Sequence, residues 1–340
     1  MKDNHKKYIE RTFFLAKKGL GSVSPNPMVG CVIVKKGKII GEGYHKKYGK
    51  EHAEINAINS VKDKKEIEGS SIYINLEPCS HHGKTPPCSD EIIKYRPKEV
   101  IISNKDPNPI INGRGIMRLQ KNNIDVIENL NKEEGYNLNK RFFKNQESGL
   151  PYIILKWAQT EDGFIAKEDG SSKWISNDIS RMLVHKWRSE EPGILIGVDT
   201  ANKDNPRLNV RSWTGNSPIR IILDPNMRLN NQTRILNDPG SVLIYNKKNN
   251  KKVREKHFIQ NKSFELKDIL KDILKKGVGS ILVEGGAKTL NYFINENLWD
   301  EARIFVSNKR FKTGIKAPEL DLNKYQKIRN NKLYNIFNNA

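Results

Sequence analysis

Cysteine is scarce: there are three in 340 residues, Cys31, Cys79 and Cys88. An odd count without framework spacing excludes a disulfide-stapled fold and predicts a reducing, cytoplasmic setting. No apolar run approaches the ~20 residues of a membrane-crossing helix, so no membrane partner is expected. The start, Met1-Lys2-Asp3-Asn4-His5-Lys6, leads into no apolar core of signal length. Acid is short relative to base: 39 Asp and Glu against 60 Lys and Arg, a formal net charge of +21. Such a balance suits nucleic acid or anionic small substrates. However, no arginine-rich or aromatic-interleaved stripe is present, and Lys and Asn recur throughout, as in 246–252. The excess reads as compositional, and no nucleic-acid partner is expected. Gly-x-Gly-x-x-Gly is also missing, which excludes an ordinary Rossmann fingerprint. The chain is too long for one ordinary domain, and two are expected.

What is present is concentrated in two stretches. One is His52-Ala53-Glu54. The other runs from Glu77-Pro78-Cys79 through Ser-His-His-Gly-Lys-Thr-Pro-Pro to Cys88. One imidazole and two thiols form the ligand set of a catalytic zinc whose fourth position stays open to water. Glu54 need not bind metal; its carboxylate can take a proton from that water and pass it to a leaving amine. His-x-Glu followed by Pro-Cys and a second Cys is the zinc-deaminase arrangement, here with eight residues between the cysteines in place of two. Residues 52–61 predict a helix, with Ile55 and Ile58 on one side. A second helix is predicted from Ser89 through Tyr95, and its positive amino end would favour a thiolate at Cys88. Cys31 lies in the apolar run 29–34 and reads as a small core residue.

In chain order, residues 8–20 predict an amphipathic helix ended by Gly19 and Gly21. Strands at 29–34 and 39–43 predict a hairpin. Further strands are expected at 71–76, 99–103 and 124–127, with helices from Gly113 to Lys121 and over 131–144. Residues 146–151 break the pattern and mark a domain boundary. Beyond it, strands are expected at 152–158, 164–166, 193–198, 219–224, 241–245, 280–283 and 302–307. A helix is predicted over 177–189 with Ser176 as its cap. Asp199 and Thr200 fall in a loop, as do residues 204–211. Glu284-Gly285-Gly286 turns directly into a helix ending near Asn297. A strand running into two glycines and a helix can carry phosphate, because glycines admit close approach and the helix end offers N–H groups. Taken alone it is also an ordinary tight turn.

The zinc motif with its eight-residue insert resembles the deaminase half of the bifunctional pyrimidine deaminase/reductases of riboflavin biosynthesis. Lys-x-x-x-x-x-Asp-Gly, Ser-x-Trp-Ile-Ser, Asp-x-Pro-x-Leu-x-Val-Arg and Val-Glu-Gly-Gly, in that order, resemble the reductase half. The likeness covers nearly all the chain and thins after about Arg310. It implies an α/β fold class: a cytidine-deaminase-like three-layer domain over 1–147, then a dihydrofolate-reductase-like α/β domain over 148–340. It implies zinc and NADPH as cofactors and a small phosphorylated pyrimidine as substrate; a homo-oligomer is compatible with it. Asn26, His45, His81 and Lys84 match positions that hold the pyrimidine and its phosphoribosyl arm. Gln159, Trp174, Thr200, Asp204, Gly286, Ala287, Lys288, Thr289, Leu290, Asn291 and Tyr292 match cofactor-contacting positions. Ser172, Arg188, Leu208, Arg211 and Glu284 match substrate-contacting ones. Gln159 replaces a residue usually small, Pro225 a usual Ser, and Arg207 stands where the family varies.

Residue chemistry adds to this. Asn26 can pair with a base edge through donor and acceptor, and Lys84 can meet a phosphate. Lys156 inside an apolar strand is costly unless solvated or paired, so it is expected to face the site. For Trp174, core packing competes with cofactor contact. The activity implied is hydrolytic loss of the 2-amino group of a diaminopyrimidinone, then hydride transfer to the opened ribose. Two rivals stand beside it: a deaminase of nucleic-acid bases, and a carboxy-terminal domain that only senses nucleotides.

Overall fold

Gly149 takes a left-handed backbone, φ 67°, which ends the helix before it. There the chain divides into two units, Met1–Gly149 and Leu150–Ala340. The computed structural model describes residues 2–81, 86–109, 111–171 and 175–338. Lys84, Ser172 and Trp174 lie outside the described residues.

In the first unit, α1 (Lys2–Ala16) leads to β1 (Gly30–Lys35) and β2 (Lys38–Tyr44). Lys36 and Gly37 both have positive φ, 47° and 75°, as the two-residue turn of a twisted hairpin requires. Next come α2 (Ala53–Ser60), β3 (Ser71–Leu76), α3 (Cys88–Lys94), β4 (Glu99–Asn104), α4 (Arg114–Gln120) and β5 (Asp125–Ile127). The unit closes with α5 (Lys132–Leu138) and α6 (Lys140–Ser148). The sheet order is β2-β1-β3-β4-β5, antiparallel around β1 and parallel from β3 to β5. Strand side chains alternate between faces. Cys31 and Ile33 therefore join Ala57, Ile58, Ile92, Ile116 and Leu119 on the side of α2, α3 and α4. Val32 and Val34 join Ile9 and Phe13 of α1 on the other. Helices on both faces of one sheet make three layers.

The expected helix over 131–144 is two helices, broken at Asn139. Its side chain accepts from the Met28 N–H (2.8 Å) and donates to the Met28 carbonyl (2.9 Å), an anchor 111 residues away. α1 begins six residues before the expected start, in polar turns that the apolar stripe does not mark.

The second unit holds β6 (Tyr152–Gln159), β7 (Phe164–Ala166), α7 (Asp178–Glu190), β8 (Gly193–Gly197), α8 (Val198–Asp204) and β9 (Ile219–Leu223). It continues with α9 (Arg234–Asn237), β10 (Val242–Asn246), β11 (Lys251–Val253), β12 (Lys256–Gln260) and α10 (Leu266–Lys275). Then follow β13 (Ser280–Val283), α11 (Ala287–Asn295), β14 (Glu301–Ser307), β15 (Ile315–Lys316), β16 (Tyr325–Ile328) and β17 (Asn331–Phe337). Ten strands form one sheet in the order β11-β12-β10-β9-β8-β13-β6-β14-β17-β16, parallel from β12 to β14. α10 and α11 cover one face with Ile269, Leu270, Ile273, Leu290 and Phe293 over Leu195, Ile221 and Val283. On the other, α7 packs Val184 and Trp187 on Ile154 and Phe305.

Two expectations are corrected here. Asn177, not Ser176, caps α7: its side chain accepts from the Ser180 N–H at 2.8 Å. Asp199 and Thr200 lie in α8 rather than in a loop, because Val198 and Ala201 bury against Ile194 and Ile222. Among the described residues, no helix is long and apolar enough to cross a membrane.

Candidate active sites

In the first unit, His52 stands in extended backbone as the N-cap of α2, and Glu54 follows in the first helical turn. The helix sits close on the hairpin because β2 offers glycine there. A Cβ on Gly43 would come within 2.5 Å of the Ala53 carbonyl oxygen. β3 runs out into Glu77-Pro78-Cys79, and α3 starts at Cys88 itself. His52 Nδ1 lies 3.6 Å from Cys79 Sγ and 3.3 Å from Cys88 Sγ, and the three ligand atoms all fall within 4.8 Å of one another. Bond lengths of ~2.3 Å to sulfur and ~2.05 Å to nitrogen in a tetrahedron place N and S ~3.6 Å apart. The residues therefore fit zinc in both identity and spacing.

Hydrogen bonds from Cys88 and His52 hold the Cys79 thiol down to about 4, against its burial. The Cys88 thiol is pushed up by its hydrogen bond to Cys79 and by burial. The first N–H of α3 points at the Cys79 sulfur (3.3 Å), so the helix end favours charge on the other cysteine. His52 is raised to about 9, chiefly by its hydrogen bond to Cys79. Glu54 is buried, 3% exposed, and burial raises it to about 7. A carboxyl poised there can both take and return a proton near neutral pH.

Asn26 and His45 meet beside this cluster. Asn26 Nδ2 is 3.1 Å from His45 Nε2, and His45 Nδ1 is 2.9 Å from the Glu51 carbonyl. A carbonyl only accepts, so Nδ1 carries the proton and Nε2 accepts from Asn26. The His45 and His52 rings meet edge to face, with centroids 5.4 Å apart. His81 is exposed. Sequence reasoning assigned no role to Glu77 or Asp106, both buried close by. Glu77 accepts backbone N–H groups from Asp106, Gly113, Gly115 and Ile116, at 2.9 to 3.4 Å. Burial lifts Asp106 to about 6. The only signal was an acid at the end of an apolar strand.

In the second unit, Glu284 follows β13 at the carboxyl ends of parallel strands, the edge where open α/β sheets bind ligands. Arg188 of α7 grips it twice, Nε to Oε1 at 2.7 Å and Nη2 to Oε2 at 2.9 Å, and Lys156 Nζ stands 3.5 Å from Oε2. Lys156 thus faces Glu284 as expected of a cation in an apolar strand. Burial would raise the Glu284 carboxyl, but Arg188 and Lys156 overcome it and bring it down to about 2. Burial lowers Lys156. His185, one turn before Arg188, was not foreseen. It is 4% exposed and its Nδ1 accepts from the Arg211 N–H at 3.4 Å. Burial and the charges of Arg188 and Arg211 lower it to about 4.

The glycines behave as a close-approach turn. Gly286 caps α11 and donates to Thr200 Oγ1 at 2.6 Å, so this N–H is already engaged. A Cβ on Gly197 would meet Thr289 Oγ1 at 2.5 Å, so the end of β8 lies against the first turn of α11. The turn is thus packed against Thr200 and Thr289 at the strand ends. Gln159 accepts from Trp157 Nε1 at 2.7 Å. Leu208 and Leu290 are buried in the core. Tyr292 is half-buried, Ala287 partly so, and Lys288, Asn291, Asp204 and Arg211 are exposed.

Comparison with known proteins bears on both units. Residues 2–104 match the cytidine and deoxycytidylate deaminase zinc-binding region, and residues 151–310 match the RibD C-terminal domain. The riboflavin biosynthesis protein RibD of Aquifex aeolicus is 40% identical over 97% of this chain and 95% of its own. The Escherichia coli protein of that name is 36% identical over 89% and 87%. A Thermotoga maritima structure described as a diaminohydroxyphosphoribosylaminopyrimidine deaminase/5-amino-6-(5-phosphoribosylamino)uracil reductase is 34% identical. It superposes with a TM-score of 0.91 over 99% of both chains. Acinetobacter baumannii RibD gives 0.90 at 30% identity, again over 99% of both. The deaminase match supports zinc and the reductase match implies a nicotinamide cofactor; neither rival reading is favoured. The chain belongs to the RibD family, the bifunctional deaminase–reductases of riboflavin biosynthesis.

Proposed function

We propose that the first unit hydrolyses the 2-amino group of 2,5-diamino-6-(5-phosphoribosylamino)pyrimidin-4-one, and that the second reduces the ribosyl arm of the product to ribityl with NADPH. The observation that carries the first step is His52 Nδ1 facing both cysteine sulfurs, with Glu54 buried in the first turn of the helix that His52 caps. Zinc held by His52, Cys79 and Cys88 supplies a Lewis acid that makes water nucleophilic at neutral pH. Glu54 takes the proton of the attacking water and returns it to the amine nitrogen. Water oxygen replaces that nitrogen on the ring carbon, and ammonia leaves. Asn26, its amide oriented by His45, can present its carbonyl oxygen and a second N–H to the pyrimidine edge. His81, and Lys84 where the chain is not described, are assigned to the phosphoribosyl arm.

In the second unit NADPH supplies hydride to the opened ribose carbon. Gln159, Thr200, Asp204 and the first turns of α11 are assigned to the cofactor, with Trp174 outside the described residues. Glu284, Lys156 and Arg188 form the polar centre of the substrate site, with Ser172, Leu208 and Arg211 at its margins. Burial makes the Lys156 ammonium a readier proton donor than a surface lysine. Arg211 is exposed and suited to a phosphate, whereas Arg188 is committed to Glu284. Supplying the deaminated intermediate with NADPH and following loss of the reduced nicotinamide absorbance tests this reading. Release of ammonia from the diamino substrate tests the first step. Oxidation of NADPH without the pyrimidine intermediate, or none with it, would contradict the assignment.

A further inference from the structure

Eight residues separate Cys79 from Cys88, so neither cysteine is placed by the helical turn that carries the other. Among the described residues, two N–H groups of α3 reach Cys79: Cys88 N–H to Cys79 Sγ at 3.3 Å, and Ser89 N–H to the Cys79 carbonyl at 3.1 Å. Both converge on one residue. A rotation of α3 about Cys79 would change the distance from Cys88 Sγ to His52 while keeping both contacts. A third point comes from α4. Arg118 Nη1 donates to the Ser80 carbonyl at 3.0 Å, and Arg118 Nε pairs with Asp90 of α3 at 2.7 Å. One guanidinium therefore holds the residue after one cysteine and the second residue after the other. α4 is itself tied to the same turn, since Glu77 accepts from the Gly113, Gly115 and Ile116 N–H groups around its start.

We propose that Arg118 is a positioning residue for the metal site, fixing the separation of Cys79 and Cys88 by bridging Ser80 to Asp90 from outside the zinc shell. This rests on His52, Cys79 and Cys88 being the zinc ligands. Partners that orient metal ligands typically contribute ~10–100-fold in metal affinity. A surface ion pair by itself contributes little to folding, so the effect falls on metal geometry more than on stability. Apolar packing is the competing explanation, since Ile92 of α3 shares a core with Ile116 and Leu119 of α4.

The experiment strips metal from the full chain and titrates zinc back against a chromogenic chelator, for wild type, Arg118→Ala, Asp90→Ala and the double variant. Cobalt(II) uptake is followed in parallel by its visible bands, which report tetrahedral sulfur ligation. Each single change is expected to weaken zinc by ~10-fold or more, and the double variant by no more than one of them, because both cut the same link. Arg118→Lys, which can reach one partner but not both, should fall between. Unchanged affinity in both single variants overturns the proposal and leaves packing as the restraint. Fully additive losses also overturn it, since they mark separate destabilisations. A wild type that takes up no metal would instead sink the ligand assignment on which the proposal rests. If one variant fails to fold, the other two still decide.

Discussion

Arg188 and Glu284 meet through two parallel hydrogen bonds, at 2.7 and 2.9 Å, although they lie 96 residues apart in the chain. The pair is largely buried and Lys156 adds a second cation, so the carboxylate is ionised and its acceptor oxygens are committed. Glu284→Gln keeps the shape and removes the charge. With ~1.5–3 kcal/mol per hydrogen bond to a charged group, reductase kcat/KM is expected to fall by roughly tenfold to a hundredfold. Ammonia release by the same variant should match wild type. Unimpaired reduction would show that the triad only supports the fold.

The second unit should lose stability on mild acidification. His185 in the folded chain sits near 4, below its ordinary value near 6.5. Protonation therefore favours the unfolded chain: the stabilisation is complete above about 6.5 and is lost as pH falls through about 4. Glu284, near 2 when folded, follows the same sign at lower pH. All five tryptophans lie beyond residue 150, so tryptophan fluorescence follows this unit alone. The unfolding midpoint should drop between pH 6.5 and 4 in wild type and drop less in His185→Gln. Equal slopes in the two proteins would remove His185 from the account.

The motif chemistry was legible from sequence because its residues lie within two short stretches, and the structure brings His52, Cys79 and Cys88 together as the spacing suggests. The hairpin and the strand–Gly-Gly–helix turn were legible for the same reason. What was hidden depends on distant partners. The break at Asn139 answers to Met28, Arg118 acts through Ser80 and Asp90, and His185 matters because Arg211 folds back to it. Local propensity does not reveal such contacts. α8 forms in a stretch that reads as loop because its two apolar residues have a core to enter. No expectation covered α10, although Leu266, Ile269, Leu270 and Ile273 mark a helical stripe.

The hairpin should constrain the zinc site through glycine. A methyl group at Gly43 collides with the α2 backbone at Ala53 and Ala57, next to His52 and Glu54. Gly43→Ala is expected to cost about 1–3 kcal/mol of stability in the first unit and to depress deamination more than reduction. Thermal unfolding and both half-reactions check this; a variant with normal deaminase kcat would show that the helix can shift without consequence.

Zinc content offers a direct count. Wild type is expected to hold about one zinc per chain, and Cys79→Ser to hold far less while still oxidising NADPH with supplied intermediate. Elemental analysis after gel filtration reads it. Undiminished zinc in the variant would mean the metal sits elsewhere.

The central claim is that two chemistries run at two separate sets of residues, and Glu54→Gln tests it most directly. The change keeps side-chain size and removes the base. Both half-reactions are measured on the variant, each with its own substrate. Zinc should stay bound, ammonia release should fall by ~100-fold or more, and hydride transfer from NADPH to supplied intermediate should stay near wild type. Starting from the diamino substrate, the variant should consume almost no NADPH. If Glu54→Gln slows hydride transfer to supplied intermediate as much as it slows ammonia release, the two-site account is wrong.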